Sequence, residues 1–175
     1  MFKKKEKKIS NKDLKFEITK FIVISSLIIV ILALLYSINP IENFFIKFTS
    51  ISTNFLLNIF GLHTKLSNNV ISFLGGIKSS FRIISDCTNI YPFIILTGFI
   101  IAYPESIKKK LLGIIIAFLL SLLINYIRLI SVLAIAQRSI TAFQYAHIYI
   151  WQTTFVAFVL FYFLWWIKWK IPAVK

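Results

Sequence analysis

The chain reads as an all-α integral membrane protein with four transmembrane helices, one interfacial amphipathic helix and a small outer β-hairpin. Three observations predict that class. Hydrophobic residues make up 58% of the 175, and the mean hydropathy is +0.83. Several apolar runs approach the roughly 20 residues that a helix needs to cross the hydrocarbon core. The lysines sit in groups beside those runs, at 3–5, 7, 8, 12, 15 and 20, at 108–110, and at 168, 170 and 175. Positive charge placed in this way marks cytoplasmic ends. The net charge of +14 is therefore read as topology and attraction to lipid headgroups, with no nucleic-acid partner expected.

In chain order, residues 1–20 form a basic cytoplasmic start, 21–168 a single membrane-embedded domain and 169–175 a cytoplasmic tail. The first span is expected at about 21–38. It is long and lacks a small-residue cleavage pattern, so it is read as a retained anchor. Asn39-Pro40 closes it, because proline does not continue a helix comfortably. Over 41–60, Ile41, Phe44, Phe48, Ile51, Phe55 and Ile59 recur at three- and four-residue spacing among Asn43, Lys47, Asn54 and Asn58. This is an amphipathic helix lying in the outer interface, and Gly61 is its terminator.

Gly75-Gly76 lies between short runs with β-branched residues, 69–74 and 77–85, which is a hairpin signal. The second span, about 88–103, is short, and a tight cytoplasmic turn at Pro104 to Lys110 follows it. The third span is expected at 111–136, an external link at 137–146 and the fourth span at 148–167. Four spans put both termini and every lysine cluster on the cytoplasmic side.

That topology gathers three chemically active residues near the outer face. Cys87, the only cysteine, begins the second span, where free helix N–H groups favour an anionic sulfur while neighbouring Asp86 opposes it. Asp86 or Ser85 is the expected cap. Arg128 lies in the outer half of the third span, on one face with Ser121 and Asn125. Lysine outnumbers arginine 17 to 3, so this cation is not the chain's usual choice, and intramembrane charges normally face the bundle interior or a water-filled cavity. A guanidinium there suits a carboxylate, a thiolate or a developing oxyanion. His147, at the start of the fourth span, is a titratable group able to move a proton. Arg82 and Arg138 are read as solvated outer cations, and His63 is given no role.

Several classes are excluded. One cysteine forms no intramolecular disulfide. One cysteine and two widely separated histidines make a poor metal set, no carboxylate cluster offers a magnesium site, and no glycine-rich phosphate loop is present. Neither metal nor cofactor is expected.

Cys87, the run Asn125-Tyr126-Ile127-Arg128, and His147 resemble, in order and setting, the signature of the exosortase/archaeosortase family. The chain looks most like the short Bacteroidetes members called exosortase F. Many members follow the cysteine with a small residue and glycine, where this chain has Thr88-Asn89. The resemblance implies an integral membrane cysteine transpeptidase with catalytic Cys87, Arg128 and His147 and a supporting Asn125. It implies substrates exported with a C-terminal signal of short motif, transmembrane helix and basic tail. Cleavage through a thioester and transfer to a lipid- or glycan-linked acceptor would follow, at the outer face of a bacterial inner membrane. The alternative readings are a non-enzymatic membrane scaffold or export-complex subunit, and a transporter or channel fragment with Arg128 lining a pathway.

Overall fold

A computed structural model describes residues 11–75, 80–136 and 138–169. The basic start up to residue 10, the 76–79 segment of the expected hairpin and the tail from residue 170 lie outside the described residues. The helices are α1 (Asn11–Tyr36), α2 (Asn39–Ile59), α3 (Ile90–Ala102), α4 (Ile107–Ala136), α5 (Ile140–Tyr145) and α6 (Trp151–Lys168). Three strands, β1 (Thr64–Ser67), β2 (Val70–Phe73) and β3 (Ser80–Arg82), lie between α2 and α3. Asp13–Tyr36, Ile107–Ala136 and Thr141–Lys168 are long and apolar enough to cross a membrane. The 13-residue α3 reaches only about 20 Å at 1.5 Å per residue.

Helix α4 organises the bundle. Lys109, Gly113, Ala117, Ser121, Asn125 and Leu129 form one buried stripe along it at four-residue spacing, the period that keeps side chains on a single helix face. At one end the stripe meets α6, where Tyr162 donates to the Gly113 carbonyl at 2.6 Å and Trp166 Nε1 to the Lys109 carbonyl at 3.3 Å. A Cβ at Gly113 would collide with the Trp166 indole. Lys109 is buried there, paired with Glu105 at 2.7 Å and set 5.1 Å from the Trp166 ring centroid. Helix α1 packs on α3 where Gly98 admits the Ile29 side chain and the Ser25 carbonyl.

Helix α2 inverts the usual arrangement of an amphipathic helix. Its inward residues are Thr49, Ser50, Thr53 and Leu57, whereas Phe44, Ile51, Phe55 and Ile59 are 51–64% exposed. Small hydroxyl residues allow close packing, and the bulky apolar side chains point away from the protein. Pro40 stands in its first turn, where the missing N–H costs nothing. At the other end the Leu62 N–H reaches the Leu57 carbonyl and the Gly61 N–H the Asn58 carbonyl, with Gly61 at φ 77°. These two bonds and a left-handed glycine make a Schellman stop. Asn54 and Asn58 then tie α2 to Thr64 in β1.

The sheet has order β1-β2-β3, with both pairs antiparallel. β2 and β3 flank the glycine pair. β1, for which the sequence predicts no element, adds a third strand through the tight Asn68-Asn69 turn, in which Asn68 adopts φ 55°, a conformation asparagine tolerates. Ile71, Phe73 and Ile83 from this region join Leu57, Cys87, Leu129 and Leu133 in one buried cluster.

Two further elements differ from expectation. Helix α3 does not reach Cys87. The cysteine ends a separate 3₁₀ turn, Ser85–Cys87, and Asn89 stands between the two helices at φ 57°. Pro92 is the reason: an α-helix extended back to Thr88 would need an N–H that proline lacks, and its ring would meet the Thr88 carbonyl. The expected external link is also partly helical. Ser139 Oγ caps α5 by accepting from the Ala142 N–H, and the π-helical segment Ala146–Ile150 joins α5 to α6.

Candidate active site

The structure brings Cys87, Asn125, Arg128 and His147 into one hydrogen-bonded cluster. The 3₁₀ turn presents Cys87, its N–H bonded to the Ile84 carbonyl at 2.9 Å. Asn125, 1% exposed, donates from Nδ2 to the Cys87 carbonyl at 2.8 Å. One turn along α4, Arg128 donates from Nη1 to the Asp86 carbonyl at 3.1 Å. The three-residue spacing of Asn125 and Arg128 therefore has a structural use: two side chains on one face of α4 grip consecutive carbonyls of the cysteine turn.

The second arm of the guanidinium, Nη2, contacts His147 Nε2 at 3.2 Å. Arginine only donates, so Nε2 accepts and the ring carries its proton on Nδ1. The ring is held from the other side by aromatic contacts running from Phe81 through Phe143 to His147, with centroid distances of 5.3 and 5.7 Å. His147 thus meets Arg128 because the π-helical segment turns it inward and β3 supports it.

Arg128 is 4% exposed. Among the described residues it has no carboxylate partner within ion-pair distance; the single such pair is Lys109–Glu105, near the opposite end of α4. Its guanidinium carbon sits 5.2 Å from the Phe155 ring centroid, and its Nε has no hydrogen-bond partner. Burying a charge is costly unless an opposite charge or several hydrogen bonds compensate. Among the described residues this cation is held by a backbone carbonyl and an imidazole, with no carboxylate at ion-pair distance.

A pocket of about 230 Å³ opens beside the cluster, lined by Asp86, Asn89, Tyr91, Pro92, Arg128, His147, Gln152 and Phe155. Asn89 donates from Nδ2 to the Ser121 carbonyl at 3.0 Å, while its Oδ1 is buried without a partner, as are Asn125 Oδ1 and Ser121 Oγ. These atoms belong to the residues that tie the Cys87–Asn89 stretch to α4.

Sequence reasoning missed the support beneath Cys87. Thr88 Oγ1 donates to the Ser85 carbonyl at 2.7 Å and lies 2.9 Å from the Tyr36 hydroxyl. The threonine has one proton, so tyrosine is the donor in the second bond. Tyr36 ends α1, 52 residues away in sequence, and no local pattern signals such a contact. Asn89 carried a signal, since an asparagine two residues before a helix-starting Tyr91-Pro92 suits a left-handed linker. Neither Asp86 nor Ser85 caps a helix through its side chain. His63 precedes β1, its carbonyl accepting from the Leu74 N–H. Arg82 and Arg138 are exposed. No group of three metal-ligating side chains occurs among the described residues.

The sequence model of the transmembrane exosortase family aligns with residues 16–169, a stretch that includes the whole cluster. No curated protein matches, and neither does any solved structure.

Proposed function

The chain belongs to the transmembrane exosortase family, and from that premise we propose that it is a membrane cysteine transpeptidase of the short exosortase F type. It cuts a C-terminal sorting signal from exported proteins. Cys87 is the nucleophile, Arg128 the electrostatic stabiliser, His147 the acid/base and Asn125 the residue that positions the cysteine turn. One observation carries the reading: a buried guanidinium with no carboxylate partner among the described residues lies against the turn that bears the only cysteine. Such a cation suits the thiolate and the oxyanion that forms when it attacks a carbonyl.

In the first step the thiol proton passes to His147 Nε2, which leaves its bond to Arg128. The freed guanidinium N–H then faces the oxyanion. Sulfur bonds to the substrate carbonyl carbon, the carbon–nitrogen bond breaks, and the leaving amine takes the proton from His147. The released fragment is the transmembrane helix and its basic tail. In the second step an acceptor amine or hydroxyl, linked to lipid or glycan, attacks the thioester and yields its proton to His147 as the thiolate departs.

The membrane arrangement follows from the charges. Helix α3, preceded by the separate Ser85–Cys87 turn, acts as a fourth, short span, which sets both termini on the cytoplasmic side of a bacterial inner membrane and the cysteine turn near the outer face. Helix α2 lies in the outer interface with its phenylalanines in lipid. A substrate held by its own helix then presents its scissile bond at the depth of Cys87.

The test compares cells with wild-type protein and cells with Cys87→Ala at equal expression, by mass spectrometry of envelope-protein C-termini. Retention of hydrophobic, basic-tailed C-termini in the variant alone is the expected result. Identical C-termini in the two strains refute the peptidase. The buried cation also suits a second reading, a scaffold in which Arg128 pairs with a partner's intramembrane acid. There Cys87→Ser is silent and Arg128→Ala breaks an assembly.

A further inference from the structure

A second polar pocket lies away from Cys87, between α2 and the β1–β2 turn. It has a volume of about 350 Å³ and is lined by Asn43, Ile46, Lys47, Asn68 and Asn69. We propose that it binds the phosphate-bearing headgroup of an anionic phospholipid whose acyl chains lie along the apolar face of α2. The inference rests on the membrane setting of α2 and not on the peptidase reading.

The lining carries a positive charge and no negative one. Lys47 supplies a cation, and three asparagines supply carboxamide N–H donors. Among the described residues no carboxylate lines the pocket, and Lys47 belongs to no ion pair. Phosphate oxygens accept only, and a charge-assisted bond from an ammonium is among the stronger contacts available to them. The far wall is preset: Asn68 adopts φ 55°, and Asn69 donates from Nδ2 to the Ile83 carbonyl at 2.8 Å, with the Ile83 N–H returning a bond to the Asn69 carbonyl.

Position selects a lipid over a soluble phosphate. At 100° per residue, Lys47 and Asn43 fall on the border between the exposed face of Phe44, Phe48, Ile51 and Phe55 and the inward face of Ser50, Thr53 and Leu57. An isolated interfacial lysine extends its stem to water; here the Asn68-Asn69 turn forms a wall of the pocket that Lys47 also lines. The pocket holds about a dozen water volumes, room for more than a bare phosphate. An apolar strip that ends beside a cationic, amide-lined pocket has the two-part chemistry of a phospholipid.

The full-length protein, purified in detergent, is given phosphatidylglycerol or phosphatidylcholine and weighed intact by native mass spectrometry. Wild type is expected to retain phosphatidylglycerol in preference to phosphatidylcholine. Lys47→Gln is expected to retain it at least about fivefold less, the share of one lysine at an anionic surface. Lys65→Gln, at an exposed position on β1, controls for general charge and should match wild type. Cys87→Ala should also match wild type, so failure of the peptidase reading leaves this one standing. Equal retention by Lys47→Gln and wild type overturns the proposal, as does a lack of preference in the wild type. Displacement of the lipid by millimolar inorganic phosphate would show a soluble-anion site and overturns it too.

Discussion

Arg128→Met separates a catalytic guanidinium from a structural one. The substitution keeps a long side chain and removes the charge. What is lost is two hydrogen bonds from a charged donor, to the Asp86 carbonyl and His147 Nε2, each worth about 1.5–3 kcal/mol. The contact with Phe155 adds about 0.5–2 kcal/mol. Against this stands the desolvation of a cation that is 4% exposed, a cost of several kcal/mol that an apolar side chain does not incur. The contributions oppose one another and nearly cancel. At about 2–4 °C per kcal/mol for a chain of this size, the melting temperature should stay within about 6 °C of wild type. Cleavage should fall by about 10²–10³, the loss seen when one oxyanion donor is removed. The assay pairs thermal unfolding in detergent with C-terminal processing of a sorting-signal substrate. Processing at the wild-type rate refutes the catalytic argument. A melting temperature lowered by 10 °C or more, with processing reduced only in proportion to folded protein, assigns the residue to structure.

Three other predictions bear on the supports. Gly113→Ala places a methyl group in the Trp166 indole and should destabilise the α4–α6 contact by about 1–3 kcal/mol; an unchanged unfolding midpoint contradicts the close approach. Tyr36→Phe removes the bond to Thr88, about 0.5–1.5 kcal/mol, and should speed alkylation of Cys87 by loosening its turn. An alkylation rate equal to that of wild type shows that the turn holds without α1. The bond from Lys109 holds the Glu105 carboxyl below its ordinary value of 4.5. The pairing contributes above the ordinary carboxylate range and is lost as pH falls through the lowered value. Unfolding followed from pH 6 to pH 3 should show a small acid-induced loss that Glu105→Gln lacks, and identical pH profiles exclude the pair as its source.

The site was more legible in the sequence than the elements that hold it. Charge grouping gives the apolar runs an expected direction and the three residues an expected common depth, and the structure does bring Arg128 and His147 together beside the cysteine turn. Side-chain spacing then places Asn125 and Arg128 together. Local conformation was harder. The dependence of α3 on Pro92 was readable, because proline forbids the carbonyl four residues earlier from joining its helix. The span expected from Thr88 takes in the polar pair Thr88-Asn89, whereas the apolar run itself starts only at Ile90. The four residues of β1 are too few for alternation to register. The inversion of α2 has a different origin: period and composition identify an amphipathic helix, but only neighbours decide which face meets protein, and here the hydroxyls do. The Tyr36–Thr88 bond joins residues that no periodicity connects.

The π-helical segment Ala146–Ile150 sets the rotational phase of His147. A π turn is an α-turn carrying one surplus residue, and one residue is worth about 100° around the axis. Helix α6 therefore keeps its own face against the bundle, with Val159, Tyr162 and Trp166 buried, while the imidazole upstream is free to take a different bearing toward Arg128. The surplus residue uncouples two alignments that a continuous α-helix would force to agree, so the packing of α6 and the aim of His147 can change independently.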